Sequence, residues 1–301
     1  MKENEIKKVV REGYAKVARR QTGSCCQERK RALKVRSGCC GPSATQKDKA
    51  ERFEIETACT TNAEEIGKML GYTDEDLKDV PEGANLGLGC GNPVALASLR
   101  EGETVLDLGS GAGFDCFLAA KRVGNTGKVI GVDMTPEMID KARENAEESN
   151  YRNVEFRLGE IEHLPAGDNS VDVILSNCVI NLSADKKRVF EEAYRVLKPG
   201  GRLMISDMVL LKELPEEIRN SVNAYVSCMG GAVLKDDYIE LVKSAGFVDL
   251  VIEKETPAII KQTENDPAVR AVAEKFSVSP EKALDVLQSV VSINVKGEKA
   301  A

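Results

Sequence analysis

The 301-residue sequence predicts an α/β protein built on a doubly wound parallel sheet, with an N-terminal extension rich in cysteine and a mostly helical C-terminal region. Three observations lead to this. From Glu103 onward short apolar runs alternate with amphipathic helical patterns, the first run passes straight into a glycine turn, and an aspartate closes the second. Apolar strands separated by helices form parallel sheets whose faces the helices cover.

The elements follow in order. Residues 1–20 place Ile6, Val9, Val10, Tyr14 and Val17 at helical spacing, and Thr22-Gly23-Ser24 breaks the pattern. Residues 24–46 are rich in Cys, Gly, Ser and Arg without periodicity and read as a loop carrying Cys25-Cys26 and Cys39-Cys40. Thr61-Asn62-Ala63-Glu64 opens a short helix that Gly71 closes. Strands are expected at 104–108, 128–133, 154–158, 171–176 and 202–206. Among the intervening helices, one starts with Thr135 as N-cap and Pro136 in its first turn, with Met138, Ile139, Ala142 and Ala146 as its apolar stripe. Ser183 is expected to cap another that runs to Leu197 and stops at Pro199-Gly200-Gly201. Helices at 215–225 and 236–245, a late strand at 248–251 and helical patterns at 266–276 and 280–292 complete the chain, with 295–301 read as a frayed charged end.

Composition narrows the function. With 42 Lys and Arg against 49 Asp and Glu, and 42% hydrophobic residues, fibrous and wholly disordered classes are excluded. No apolar run reaches the length of a membrane span, and the first 20 residues are charged throughout, so neither a membrane association nor a secretory signal is expected and the expected location is cytoplasmic. Residues 1–52 carry 15 Lys and Arg against 6 Asp and Glu. Only Tyr14 interleaves with those charges and no recognition motif follows, so no nucleic-acid partner is expected.

Nine cysteines stand at 25, 26, 39, 40, 59, 90, 116, 178 and 228. Without a secretion signal they point to metal or redox chemistry rather than a disulfide framework. The single histidine, His163, rules out a His-based metal cluster and any triad that does not use it. Cys25, Cys26, Cys39 and Cys40 lie among Arg19, Arg20, Arg29, Lys30, Arg31, Lys34 and Arg36, and neighbouring cations favour the thiolate. The adjacent pairs lack the internal spacing of a structural zinc site. Cys116, early in the helix after the glycine turn, reads as packing.

The sharpest local signal is Val105-Leu106-Asp107-Leu108-Gly109-Ser110-Gly111-Ala112-Gly113. A dinucleotide fingerprint would need glycine at 114, where Phe114 stands, so pyrophosphate binding is not indicated. Asp133, 20 residues past Gly113 at the next strand end, is placed to accept both hydroxyls of a ribose. A nucleoside is the expected ligand.

Asp107, the glycine turn, Asp133 and the strand alternation together resemble the class I S-adenosylmethionine-dependent methyltransferases. The resemblance implies a Rossmann-like methyltransferase sheet and S-adenosyl-L-methionine as cofactor. It assigns Asp107, Gly109, Gly111 and Gly113 to the cofactor's methionine part and Asp133 to its ribose. Ile161 and Glu162 become adenine contacts, Met134 either an adenine-facing or a core residue, and Asn177 a positioner of the sulfonium. The segments Leu88-Gly89-Cys90-Gly91-Asn92-Pro93, Ser176-Asn177-Cys178-Val179-Ile180-Asn181-Leu182 and Cys228-Met229-Gly230-Gly231-Ala232 are similar to the motifs of arsenite methyltransferases. That family likeness implies an As(III) site of Cys90, Cys178 and Cys228, Cys90 being a third thiol or a disulfide partner, with a fourth cysteine at Cys25 or Cys26.

The chemistry agrees with the composition. Trivalent arsenic is thiophilic and keeps a lone pair, so it needs no base to become a nucleophile, and this chain is poor in histidine but rich in thiols. On this reading residues 1–90 form a basic, Cys-rich extension and cap, 91–212 the cofactor-binding core, and 213–301 the arsenic-site helices, late strand and helical tail. Expected partners are arsenite or its thiol conjugates, and a thiol reductant such as thioredoxin or glutathione. Two other readings stay open: a methyltransferase for an organic small molecule, and a non-catalytic thiolate protein that binds metalloid.

Overall fold

The computed structural model describes residues 3–19, 63–215, 218, 230–257 and 267–301. Cys25, Cys26, Cys39, Cys40, Cys59 and Cys228, and nearly all of the helix expected at 215–225, lie outside the described residues.

Helix α1 (Glu3–Arg19) buries Ile6, Val10, Ala15 and Ala18. Two short helices follow, α2 (Ala63–Met69) and α3 (Asp74–Asp79), the second opened by a reciprocal Thr73–Asp76 capping box. Gly71, with φ +98°, turns the chain between them. A single turn, α4 (Pro93–Leu96), precedes the core, with Asn92 capping it through the Ala95 amide.

The core alternates β1 (Thr104–Leu108), α5 (Phe114–Val123), β2 (Lys128–Asp133), α6 (Pro136–Glu148), β3 (Val154–Leu158), β4 (Val171–Asn177), α7 (Lys186–Val196) and β5 (Leu197–Leu210). A 3₁₀ turn at Ile180–Leu182 links β4 to α7. Then come α8 (Lys235–Ser244), β6 (Val248–Pro257), α9 (Pro267–Phe276), α10 (Pro280–Gln288) and β7 (Val290–Glu298). All seven strands share one sheet in the order β3-β2-β1-β4-β5-β7-β6. The first five are parallel, and β7 runs antiparallel to both β5 and β6. Strand order reverses between β1 and β4, which opens a crevice at their carboxyl ends.

Each face of the sheet has its own apolar layer. One holds Leu106, Ile174 and Ile205 against Phe190 of α7 and Tyr238 of α8; the other holds Val105, Val129 and Val173 against Phe117 of α5 and Ile139 of α6. Burial on both faces explains why these strands read as continuous apolar runs.

Several expectations are corrected. Asp185, not Ser183, caps α7, because its carboxylate reaches the Arg188 amide while the Ser183 hydroxyl is turned to Glu162. That helix stops at Val196, and Pro199-Gly200-Gly201 lies within β5, where the pairing with β4 shifts register and Gly200 takes φ +74°. The helical pattern to residue 292 ends at Gln288, and the supposed frayed end is β7 as far as Glu298, with Val291, Ile293 and Val295 fully buried. The late strand extends to Pro257, so the C-terminal region adds two strands to the sheet beside its helices.

Candidate functional site

A cavity of about 300 Å³ occupies the crevice, at the lower end of the usual range for ligand sites. Its floor is the glycine turn and the first residues of α5, its far wall Asp133, Met134 and Thr135 after β2, and its near wall Asn177, Cys178 and Val179 after β4. Gly159, Ile161, Glu162 and Ser183 close one side, and Lys7, Val10 and Tyr14 of α1 cover it.

The turn is shaped by contacts that only glycine permits. A Cβ on Gly109 would stand 2.3 Å from a Val179 methyl, at a φ of +68°. Gly111, at φ +53°, has nothing within 4 Å of such a position, and its amide donates to Asp133 Oδ2 at 3.0 Å. The Thr135 amide holds the other oxygen at 2.8 Å, which fixes the carboxylate at the strand end. Burial raises the Asp133 pKa despite those two hydrogen bonds, so a polar ligand there stabilises the ionised form. The Ser110 hydroxyl, also in the cavity wall, is buried without a hydrogen-bond partner.

Beneath the turn lies a polar network that sequence reading did not anticipate. The Tyr72 hydroxyl donates to Asp115 at 2.7 Å, and Asn177 Nδ2 donates to the other Asp115 oxygen at 3.0 Å. The Cys116 thiol donates to Asp107 at 3.2 Å, so this fully buried cysteine holds the carboxylate as well as packing. Burial, with the Asp115 charge alongside, pushes Asp107 well above the usual carboxylate range. Asp115, in the first turn of α5, is likewise raised by burial, against the hydrogen bonds from Tyr72 and Asn177. Two desolvated acids side by side favour a cationic ligand group. Asp115 could have been found from its place as the second residue of that helix; Tyr72 carried no sequence signal.

Cys178 follows β4 in the left-handed region, φ +60°, and its amide donates to Ser206 O at 2.8 Å. Asn177 ties the Cys90 loop to the same strand end: its Oδ1 accepts from the Cys90 amide at 3.0 Å and its Nδ2 donates to Gly91 O at 2.9 Å. Ser292 of β7 anchors the loop from the other side through Cys90 O, at 2.8 Å. The result brings Cys90 Sγ, Cys178 Sγ and a carboxylate oxygen of Asp207 all within 4.8 Å of one another, although the three lie 88 and 29 residues apart in the chain. Ile6, Val10, Leu182 and Met134 pack around the two cysteines, and the Cys90 thiol donates to Ser206 O at 3.3 Å.

Asp207 ends the parallel stretch of β5 and is buried, which raises its carboxyl to about 7 against hydrogen bonds from Met208 N, Tyr238 and Asn181 and the charge of Lys186. The rule that ligands gather at carboxyl ends of parallel strands could have found it, one residue past the expected strand. Ile161 and Glu162 reach the cavity wall, and Glu162 accepts from the Ser183 hydroxyl at 2.6 Å. His163 is exposed and does not line the cavity. Lys7 on α1 pairs with Glu160 and Glu3, each at 2.9 Å, and lies 3.8 Å from Glu162. Burial works against its ammonium, but those acids outweigh it and hold Lys7 above the ordinary lysine range, pinning α1 over the cavity.

A Rossmann-like sheet with a glycine turn, an acid ending β2 and a ligand crevice at the strand-order reversal defines the class I methyltransferase domain, and a family model described as a methyltransferase domain matches residues 99–246. Among curated proteins, the arsenite methyltransferase of Halobacterium salinarum is 46% identical over 264 residues, covering 87% of this chain and 63% of that protein. The arsenite methyltransferase of Homo sapiens is 40% identical over 199 residues, covering 63% of this chain and 52% of that one. The crystal structure of an arsenic (III) S-adenosylmethionine methyltransferase from Chlamydomonas reinhardtii superposes with a TM-score of 0.57 at 32% identity, covering 78% of this chain and 73% of that one. This chain belongs to the arsenite methyltransferase family. It spans between about half and just under two thirds of the length of these curated relatives. Among the described residues, no helix is long and apolar enough to cross a membrane.

Proposed function

We propose that this protein is an arsenite methyltransferase, moving methyl groups from S-adenosyl-L-methionine to thiolate-bound trivalent arsenic, in the service of arsenic detoxification. The observation that carries the proposal is the convergence of the Cys90 and Cys178 sulfurs, within 4.8 Å of each other, where Cys178 borders the nucleoside cavity. Two thiols so placed can share one arsenic atom, and softness favours that element over harder cations.

The residues present fit the cofactor. The open backbone at Gly111, the partnerless Ser110 hydroxyl and the two buried acids Asp107 and Asp115 offer complementary groups to an amino-acid moiety, and Asp133 is held ready for ribose hydroxyls. Ile161, Met134 and Glu162 would flank the adenine. When bound, S-adenosylmethionine supplies an electrophilic methyl carbon to the arsenic lone pair. Cys90 and Cys178 hold the substrate as thiolates, Asn177 keeps their two loops in register, and α1 with Val10 and Tyr14 excludes water. Cys228 is the proposed third sulfur. Because methylation leaves arsenic oxidised by two electrons, two thiols that close a disulfide return it to the trivalent state. An external thiol reductant of the thioredoxin or glutathione kind then reopens that disulfide, with Cys25 or Cys26 as the proposed partner. Such a cycle belongs in the reducing cytoplasm.

The test is direct: incubate the protein with isotopically labelled S-adenosylmethionine, arsenite and a thiol, and identify products by mass. Labelled methylarsenicals are expected; retained cofactor binding with no labelled arsenical would overturn the proposal.

A further inference from the structure

Tyr72 lies behind the cavity wall, lines no part of it and is only 4% exposed, yet its hydroxyl stands between the two halves of the site. It donates to Asp115 Oδ1 at 2.7 Å and accepts from Asn177 Nδ2 at 3.1 Å. Asp115 lines the cofactor cavity, whereas Asn177 grips the loop that carries the first thiol, through Cys90 N and Gly91 O. The ring is locked in place. It meets Phe114 edge-on with centroids 4.8 Å apart, the Tyr72 amide donates to Gly67 O at 3.1 Å, and Asn92 Nδ2 donates to the adjoining Gly71 carbonyl at 3.2 Å. Burial, with Asp115 alongside, pushes the phenol well above its ordinary pKa, so the hydroxyl keeps its proton.

Hydrogens are scarce at this junction. A primary amide has two N–H donors, but Asn177 Nδ2 has three acceptors within reach: Gly91 O at 2.9 Å, Asp115 Oδ2 at 3.0 Å and the Tyr72 hydroxyl at 3.1 Å. How firmly the amide is held therefore depends on how strongly the acid draws on it. An ionised Asp115 accepts charge-assisted bonds from both Tyr72 and Asn177, and such bonds are about twice as strong as neutral ones. A cationic ligand group against Asp107 and Asp115 keeps Asp115 ionised, and the cofactor's ammonium is such a group. We infer that Tyr72 is a positioning residue that ties cofactor binding to the Cys90 loop, its hydroxyl joining Asp115 to Asn177 so that a filled cofactor pocket fixes Cys90 for the metalloid. The inference rests on the arsenic reading above. Arsenic is then held most tightly when the methyl donor is in place. Coupling of this kind is reciprocal, so the factor that cofactor adds to arsenite affinity is the factor that arsenite adds to cofactor affinity.

S-adenosylhomocysteine, which lacks the transferable methyl, serves as the cofactor probe so that nothing turns over. Calorimetry on the reduced protein gives the Kd of arsenite with and without this probe, and the Kd of the probe with and without arsenite, for the wild type, Tyr72→Phe and Asp115→Asn. The wild type should bind arsenite about fivefold more tightly, or better, when the probe is present, with the same factor in the other direction. Tyr72→Phe keeps the ring and loses only the hydroxyl, so this factor should fall below about twofold while arsenite affinity without the probe stays within about twofold of the wild type. Asp115→Asn, which cannot carry the charge, should lose the factor as well, and it decides the question if Tyr72→Phe does not fold. A merely structural tyrosine would weaken each ligand equally whether or not the other is bound. Retention of the wild-type factor in either variant overturns the inference, and so does a wild-type factor near one. A wild type that binds the probe but not arsenite overturns the arsenic reading and this inference together, whereas independent binding of both ligands overturns the inference alone.

Discussion

The sulfurs of Cys90 and Cys178 meet because single residues on either side leave them no alternative. Asn177 occupies three hydrogen-bonding directions at once, and Cys178 accepts a positive φ to turn back over Ser206. Cys178→Ser and Cys90→Ser should each abolish arsenic methylation while calorimetry still detects cofactor binding. Asp133→Ala should weaken cofactor affinity at least tenfold with the fold intact, since the groups that lose a partner are the Gly111 amide and the amide and side chain of Thr135. Gly109→Ala is the harsher change: its new methyl would collide with Val179 at 2.3 Å, so a melting temperature several degrees lower and poor cofactor retention are expected. At this scale the glycines, Asp107, Asp133 and Cys178 were legible because strand ends and glycine turns mark themselves in a sequence. Tyr72 and Asn181 were not, because nothing local distinguishes a tyrosine or asparagine that will meet a distant carboxylate.

At the scale of elements, the alternating core was legible strand by strand, with β1, β2 and β3 bounded as their apolar runs suggested. The tail was not. Ala283, Val286, Leu287 and Val290 keep helical spacing, while Val291, Ile293 and Val295 begin a period of two, and the overlap at 290 hides the change of element. β7 is no ornament: it pairs with both β5 and β6, and its Ser292 holds the Cys90 carbonyl. Ile293→Ala should cost about 2–5 kcal/mol in urea unfolding, the usual range for emptying a buried isoleucine site. Helix α1 reads as amphipathic from its sequence, and it packs on α6 and on the 3₁₀ turn at the cavity rim.

For the whole molecule, buried acids set the response to pH. Asp207 is raised to about 7 and Asp115 to about 6, from an ordinary 3.8, by burial in each case. Between about pH 4 and 7 the folded state therefore binds more protons than the unfolded chain, and stability falls as pH rises through that window. Below it both states are protonated and the effect vanishes. Glu155 works the other way: hydrogen bonds from Arg157 and Lys128 hold it down to about 2, so its contribution is lost as pH falls below the ordinary glutamate range. Urea midpoints should accordingly peak near pH 4–5 and decline towards neutrality, and Asp207→Asn should flatten the decline above pH 5. A profile that rises steadily from pH 5 to 7.5 would contradict this assignment of protons.

By itself the sequence determined what is local or periodic: the α/β alternation, the glycine turn, the acid ending the second strand, and a thiol set suited to a soft element. These are legible because backbone geometry and solvent exposure impose short repeats on residue choice. Only the tertiary structure decided that the tail returns as an antiparallel strand, that α1 roofs the crevice, and that Asp207 shares a corner with Cys90 and Cys178. Contacts across 29 to 117 residues depend on how strands order themselves in a sheet, and no spacing along the chain records that order.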